Sequence, residues 1–144
     1  MRTAAPALLL LLLAGCGGEP DGPGEVGVEV GAQDVAVRPT QYCLDGEGQR
    51  YTSVQPPVIE VSADSPIALT VPDAVAERGW SVQVFDDRLE EQLGEVAVDT
   101  GEASFDVNSS DVVPAAFYLV VVEDADTDCE GFSGAWPIGF IRAE

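Results

Sequence analysis

The run Phe117-Tyr118-Leu119-Val120-Val121-Val122 decides the fold. Continuous aromatic and β-branched side chains suit a strand with neighbours on both sides, so these residues predict the central strand of a sheet. Outward from it the chain keeps a period of two. Val26, Val28 and Val30 alternate with small or charged residues, as do Val35 and Val37. Val58-Ile59-Glu60-Val61 follows the Pro56-Pro57 break, and Ile67, Leu69 and Val71 alternate between Pro66 and Pro72. Trp80, Val82 and Val84 line one face of a strand whose other face carries Ser81, Gln83 and Phe85. Val96 with Val98, and Phe105 with Val107, mark two shorter strands, and Ile138 to Ile141 the last. Clusters of Pro, Gly, Asp and Ser separate them about every ten residues. The pattern predicts an all-β chain, an immunoglobulin- or fibronectin-like antiparallel β-sandwich.

Two details favour that sandwich over a barrel. Trp80 opens a mid-chain strand, where such folds keep a core tryptophan, and Val112-x-Pro114 ahead of Tyr118 has the spacing of a tyrosine corner. Between strands, Pro72 to Gly79 fits one helical turn, with Asp73 able to cap it and Gly79 to stop it. Asp86 to Gly94 is charged, lacks alternation and reads as a loop or hairpin connection, and Asn108-Ser109-Ser110 reads as a turn.

The front of the chain has a different character. Arg2 is the only charge before Glu19, and Ala4 to Ala14 form a leucine-rich segment of signal-peptide length, well short of the roughly 20 apolar residues that span a bilayer. Leu13-Ala14-Gly15-Cys16 then resembles the lipobox of bacterial lipoproteins. That resemblance implies that the Cys16 thiolate takes a diacylglyceryl group, that the leader 1–15 is cut away, and that the freed amine is open to acylation. Gly17 to Gly24 holds four glycines with Pro20 and Pro23, so residues 16–25 read as the lipidated cysteine and a flexible tether, and 26–144 as the folded domain. The expected location is the outer side of the cytoplasmic membrane, with the lipid anchor as the membrane contact.

Charge and residue types bound the chemistry. Six arginines face 26 acidic residues, with no lysine and no histidine, for a formal net charge of −20. Such a surface repels nucleic acid and anionic headgroups. With Cys16 used for lipid, Cys43 and Cys129 remain as an even pair in an oxidising compartment, and a disulfide is expected. Without histidine or lysine there is no Ser-His-Asp or Cys-His arrangement, ordinary zinc site, Schiff base or phosphate-loop lysine. An enzyme on this chain would work with carboxylates alone, as a hydrolase of envelope polymers with a glycosidase-like acid pair. No enzymatic activity is the primary expectation, and no cofactor is expected apart from calcium. Asp124, Asp126 and Asp128 alternate like the first half of a calcium loop, but Cys129 stands where the turn glycine belongs and Ala135 where the bidentate glutamate belongs. The alternative is a solvated acidic loop beside a disulfide. Tyr42, Tyr51, Phe132 and Trp136, near the two cysteines, could line an apolar or carbohydrate-stacking surface; they could equally cover the end of the core.

A resemblance to a family enters at Arg38-Pro39-Thr40-Gln41-Tyr42-Cys43. With Pro66-Ile67-Ala68-Leu69-Thr70-Val71-Pro72, the strand Gly79-Trp80-Ser81-Val82-Gln83-Val84-Phe85 and the lipobox, it resembles actinobacterial secreted lipoproteins catalogued as a domain of unknown function, family 2771. The resemblance implies an envelope-anchored all-β domain without an assigned activity, and it carries no site residues. The expected function is a binding or scaffolding module of the cell envelope with a protein partner there.

Overall fold

The valine alternation builds the first hairpin, Val26–Val30 (β1) against Gln33–Val37 (β2). In the computed structural model, which describes residues 23–124, Cys129 and residues 133–143, the chain then crosses to a second sheet and makes another hairpin. Gln41–Leu44 (β3) pairs with Glu47–Arg50 (β4) across Asp45 and Gly46, whose φ angles of 50° and 79° are those of a type I′ turn. The alternation of apolar residues gives no warning of β3 and β4. The Asp-Gly dipeptide is their only local signal.

The remaining strands follow the pattern read from the sequence. Val58–Ser62 (β5), Pro66–Thr70 (β6), Trp80–Phe85 (β7), Gln92–Val98 (β8), Ser104–Asn108 (β9), Ala116–Glu123 (β10) and Ala135–Ala143 (β11) complete two sheets. One has the order β2-β1-β6-β9; the other has seven strands in the order β4-β3-β11-β10-β7-β8, with β5 also on β11. The chain is an all-β sandwich. Its β6–β9 and β7–β10–β11 pairings correspond to the B–E and C–F–G pairings of an immunoglobulin domain. The β5–β11 pair is parallel, a departure from a purely antiparallel design.

β10 is central as expected, flanked by β11 and β7, with Phe117, Leu119 and Val121 facing the core. Phe117 stacks on its cross-strand partner Phe140 with ring centroids 5.4 Å apart. Val26, Val28, Ile67 and Leu69 close the core from the other sheet. Gly139 is glycine because Tyr118 lies across it: an added Cβ would stand 3.1 Å from both the Tyr118 ring and Val58. Pro137 is tolerated inside β11 because ladder alternation turns its nitrogen away from β10. The neighbouring strand there changes from β3, paired at Ala135, to β5, paired from Gly139 onward.

Two local expectations change. Asp73–Arg78 forms one helical turn (α1), but Pro72 stands at its N-cap and Asp73 makes no capping hydrogen bond. Asp73 instead occupies the first turn, where its charge suits the helix dipole, and Gly79, at φ 107°, ends the element as expected. No tyrosine corner forms. The Tyr118 ring is held against Gly139, and the loop carbonyls that a corner would serve are taken by Arg142: its Nη1 donates to Ser109 and Val112 at 2.7 Å and its Nη2 to Val113 at 3.2 Å.

Candidate functional site

The two sheets differ in width, and the site follows from the mismatch. β8 forms an edge of the wider sheet, and its inner face passes progressively out of cover. Val98 is buried, Val96 is 44% exposed, and Gly94, opposite Val84, lies beyond it. The connection from β9 to β10 swings over this gap and places Val112, Val113 and Pro114 along the other side. A cavity of about 550 Å³ results, floored by Val84 and Val96, with Leu93 at its lip and Glu95 and Asp111 on its rim. Val113 is 91% exposed and Leu93 43%. An open apolar cavity of this size falls within the range of ligand pockets, and exposed clustered aliphatics mark interaction sites.

The wall is held rigidly: Val112 is buried in the core, while its neighbour Val113 faces solvent. A 3-10 turn, Ser109–Asp111, opens the connection, with the Asn108 side chain accepting from the Ser110 N–H at 2.9 Å. Buried Ser109 locks it to the β5–β6 turn: its hydroxyl donates to the Ser62 carbonyl at 2.6 Å and accepts from the Ser65 N–H at 3.0 Å. Ser110 Oγ accepts from the Asp64 N–H at 2.8 Å, and Arg142 gathers the three carbonyls that follow. Across the groove, the β7–β8 connection carries Asp86, Asp87, Glu90 and Glu91 against one arginine, Arg88. The backbone N–H groups of Glu90 and then Glu91 hold the Asp86 carboxyl below its ordinary range, with a further contribution from Arg88.

The aromatic residues singled out from the sequence do not gather into one surface. Trp136 is fully buried at an inward position of β11, and its indole N–H donates to the Gly24 carbonyl at 3.0 Å, so it is core and unavailable to a ligand. Tyr42 is half-buried and meets Trp136 edge-on at 5.9 Å. Tyr51 lines a separate small cleft with Arg38 and Pro39, and Phe132 lies outside the described residues. Cys43 and Cys129 are disulfide-bonded, with Cα atoms 6.1 Å apart. Asp124 is exposed and donates its N–H to the Gly79 carbonyl at 2.9 Å, while Asp126 and Asp128 lie outside the described residues, as does Cys16. Among the described residues no group of three or more His, Cys, Asp or Glu side chains could hold a metal. Buried Glu123, beside this end of β10, is ion-paired with Arg78.

The groove residues were missed for a physical reason. Leu93 lies within the charged stretch Asp86 to Gly94 that reads as a loop and Val96 just after it, and a bulge between Val84 and Phe85 breaks the alternation there. The adjacent pair Val112-Val113 was the available signal, since a short connection cannot bury both.

Residues 19–128 match the model of a family described as a protein of unknown function, DUF2771. The chain belongs to this family. The match includes β8 and both sides of the groove and ends before Cys129 and β11. No curated protein and no solved structure matches the chain.

Proposed function

We propose that this DUF2771 member is a lipid-anchored binding module on the outer face of the cytoplasmic membrane, with the groove between β8 and the β9–β10 connection as its binding face. The observation that carries this reading is where the chain enters the domain. Gly24 is fixed by Trp136 near the end of β10 that leads to the disulfide, whereas Val112, Val113 and Pro114 lie at the end where β10 begins. Ala116 and Val121 alone set these ends about 17 Å apart along β10. Only six residues, 17–22, separate Cys16 from Pro23, a reach of roughly 25 Å if extended. A lipid on Cys16 therefore attaches the domain by its disulfide end and leaves the groove, at the opposite end, open to partners.

Two measurements test the two halves. Mass spectrometry of native protein should find a diacylated Cys16 at the N-terminus, and Cys16→Ser should move the protein from the membrane to the soluble fraction. An environment-sensitive apolar dye should bind the full-length protein and lose at least tenfold in affinity in Leu93→Asp or Val113→Asp, with melting temperature unchanged. An unmodified leader refutes the anchoring, and dye binding indifferent to both substitutions refutes the groove.

A further inference from the structure

We infer that β8 is a docking edge for an extended peptide segment of alternating apolar and basic residues, which adds a strand to the seven-stranded sheet and lays its apolar side chains into the groove. This rests on the groove reading and goes beyond it by naming the partner's chemistry. Among the described strands with a free edge, β2, β9, β4, β5 and β8, β8 is the longest at seven residues and lies beside the cavity. Ladder alternation points the N–H and C=O groups of Glu95 and Ala97 away from β7, into open space. Natural sheets blunt such edges with lysine, proline or an inward charge. β8 has none of these along Gln92–Val98; its bulge lies at one end, and from Gly94 to Val98 it pairs with β7 in unbroken register. An added strand 4.8 Å or so outside β8 would alternate its side chains between the two faces of the sheet. Those on the inner face would meet Val96 and the Val112–Pro114 wall.

Charge selects the occupant. Glu95 borders the cavity but alternates with inward Val96 and so turns its side chain to the outer face of β8. Asp111 stands on the rim, and four acids crowd the β7–β8 connection, in a chain of net charge −20. A second copy would bring the same charge to the same edge, and anionic lipid is repelled likewise. A segment with basic residues on the outer face is attracted, and its backbone supplies the missing ladder partners.

The test uses full-length protein and three decapeptides: alternating valine and arginine, the same composition in two blocks, and the alternating peptide N-methylated at every second residue. Fluorescence anisotropy should show the alternating peptide binding at least tenfold tighter than the other two, with affinity falling several-fold between 50 and 500 mM salt. Hydrogen exchange should show the Glu95 and Ala97 amides protected on binding. Ala97→Pro removes one outward N–H without changing the groove lining, so it should weaken the peptide at least tenfold while leaving the apolar dye bound. Equal binding of the alternating and block peptides means that charge alone acts and overturns the inference while the groove stands. Protection of the same amides in a peptide-free dimer overturns it in favour of a second copy. Failure of peptide and dye together removes the groove as well. If Ala97→Pro does not fold, the N-methylated peptide decides.

Discussion

The two ends of the sandwich solve the same problem, holding loops to a β core, with different chemistry. At the disulfide end the large side chains turn inward. Cys43 bonds Cys129, Arg78 pairs with buried Glu123, the Trp80 indole donates to the Glu102 carbonyl at 2.7 Å, and the Trp136 indole donates to Gly24. At the groove end polar side chains turn inward and apolar ones outward. Ser109 and Arg142 take up backbone groups, while Val113, Val96 and Leu93 meet solvent. One end is therefore fixed by covalent, ionic and aromatic contacts, with Trp80 and Trp136 both buried. The other is fixed by buried Val112 and by polar side chains that grip its backbone, which leaves Val113, Val96 and Leu93 available. Exposure at the groove is thus a product of order and not of looseness.

That contrast is open to attack, the largest effect first. Replacing Cys43 and Cys129 with alanine should lower stability by about 4–5 kcal/mol, because the bond closes a loop across 86 residues of sequence separation. Urea denaturation checks this, and dye binding to the fraction still folded should be unchanged if the two ends are independent. Arg78→Met should follow at about 2–3 kcal/mol. It leaves the Glu123 carboxylate in a 2%-exposed position, but Arg78 is itself 39% exposed, so the loss falls short of the 3–5 kcal/mol expected for a fully buried pair. Arg142→Met should cost about 2 kcal/mol by freeing three loop carbonyls, and unlike the first two it should also weaken the dye, since the wall loses its holder. Dye affinity unchanged in Arg142→Met would break the comparison at its centre.

Much of the disulfide end was legible in the sequence, and little of the groove end was. Cysteine parity gave the disulfide, and period-two valines with the Phe117–Val122 run gave the sheets, because burial on one or both faces writes itself into residue type. The neighbours of Trp136 in sequence fit surface and core alike, and only the register of β11 decides which way it faces. The Arg142 corner is invisible in principle: a lone arginine in a terminal strand says nothing about carbonyls some 30 residues earlier. β8 is legible only in half, at Val96 and Val98, because its outer half lacks the second sheet that would impose alternation. A functional edge is free to depart from the pattern that a core enforces.

Substitutions on the groove surface should sit near the bottom of the stability scale. Val113→Thr should change unfolding free energy by less than about 0.5 kcal/mol, because the side chain is 91% exposed, while dye affinity falls. A large loss of stability instead would mean that Val113 is part of the core and that the groove is not open.

The smallest effect should come from Asp86, at the start of the β7–β8 turn beside the groove. Its carboxylate accepts from the Glu90 N–H at 2.8 Å and the Glu91 N–H at 3.2 Å, which lowers its folded-state pKa below the ordinary value. A lowered folded pKa gives stability that is complete above the unfolded value, about 3.9, and is lost as pH falls through the folded one. Asp86→Asn keeps an acceptor oxygen and cannot titrate. Melting temperatures of wild type and Asp86→Asn should therefore differ slightly at pH 6 and converge below pH 4. Comparing the pair matters because acidification also relieves the repulsion among 26 acids, which shifts both proteins alike. A gap that stayed constant down to pH 2.5 would mean the turn is held by its backbone, with Leu89 at φ 58°, and not by this carboxylate. The groove's near lip would then be ordered in the same manner as its far wall, without help from charge.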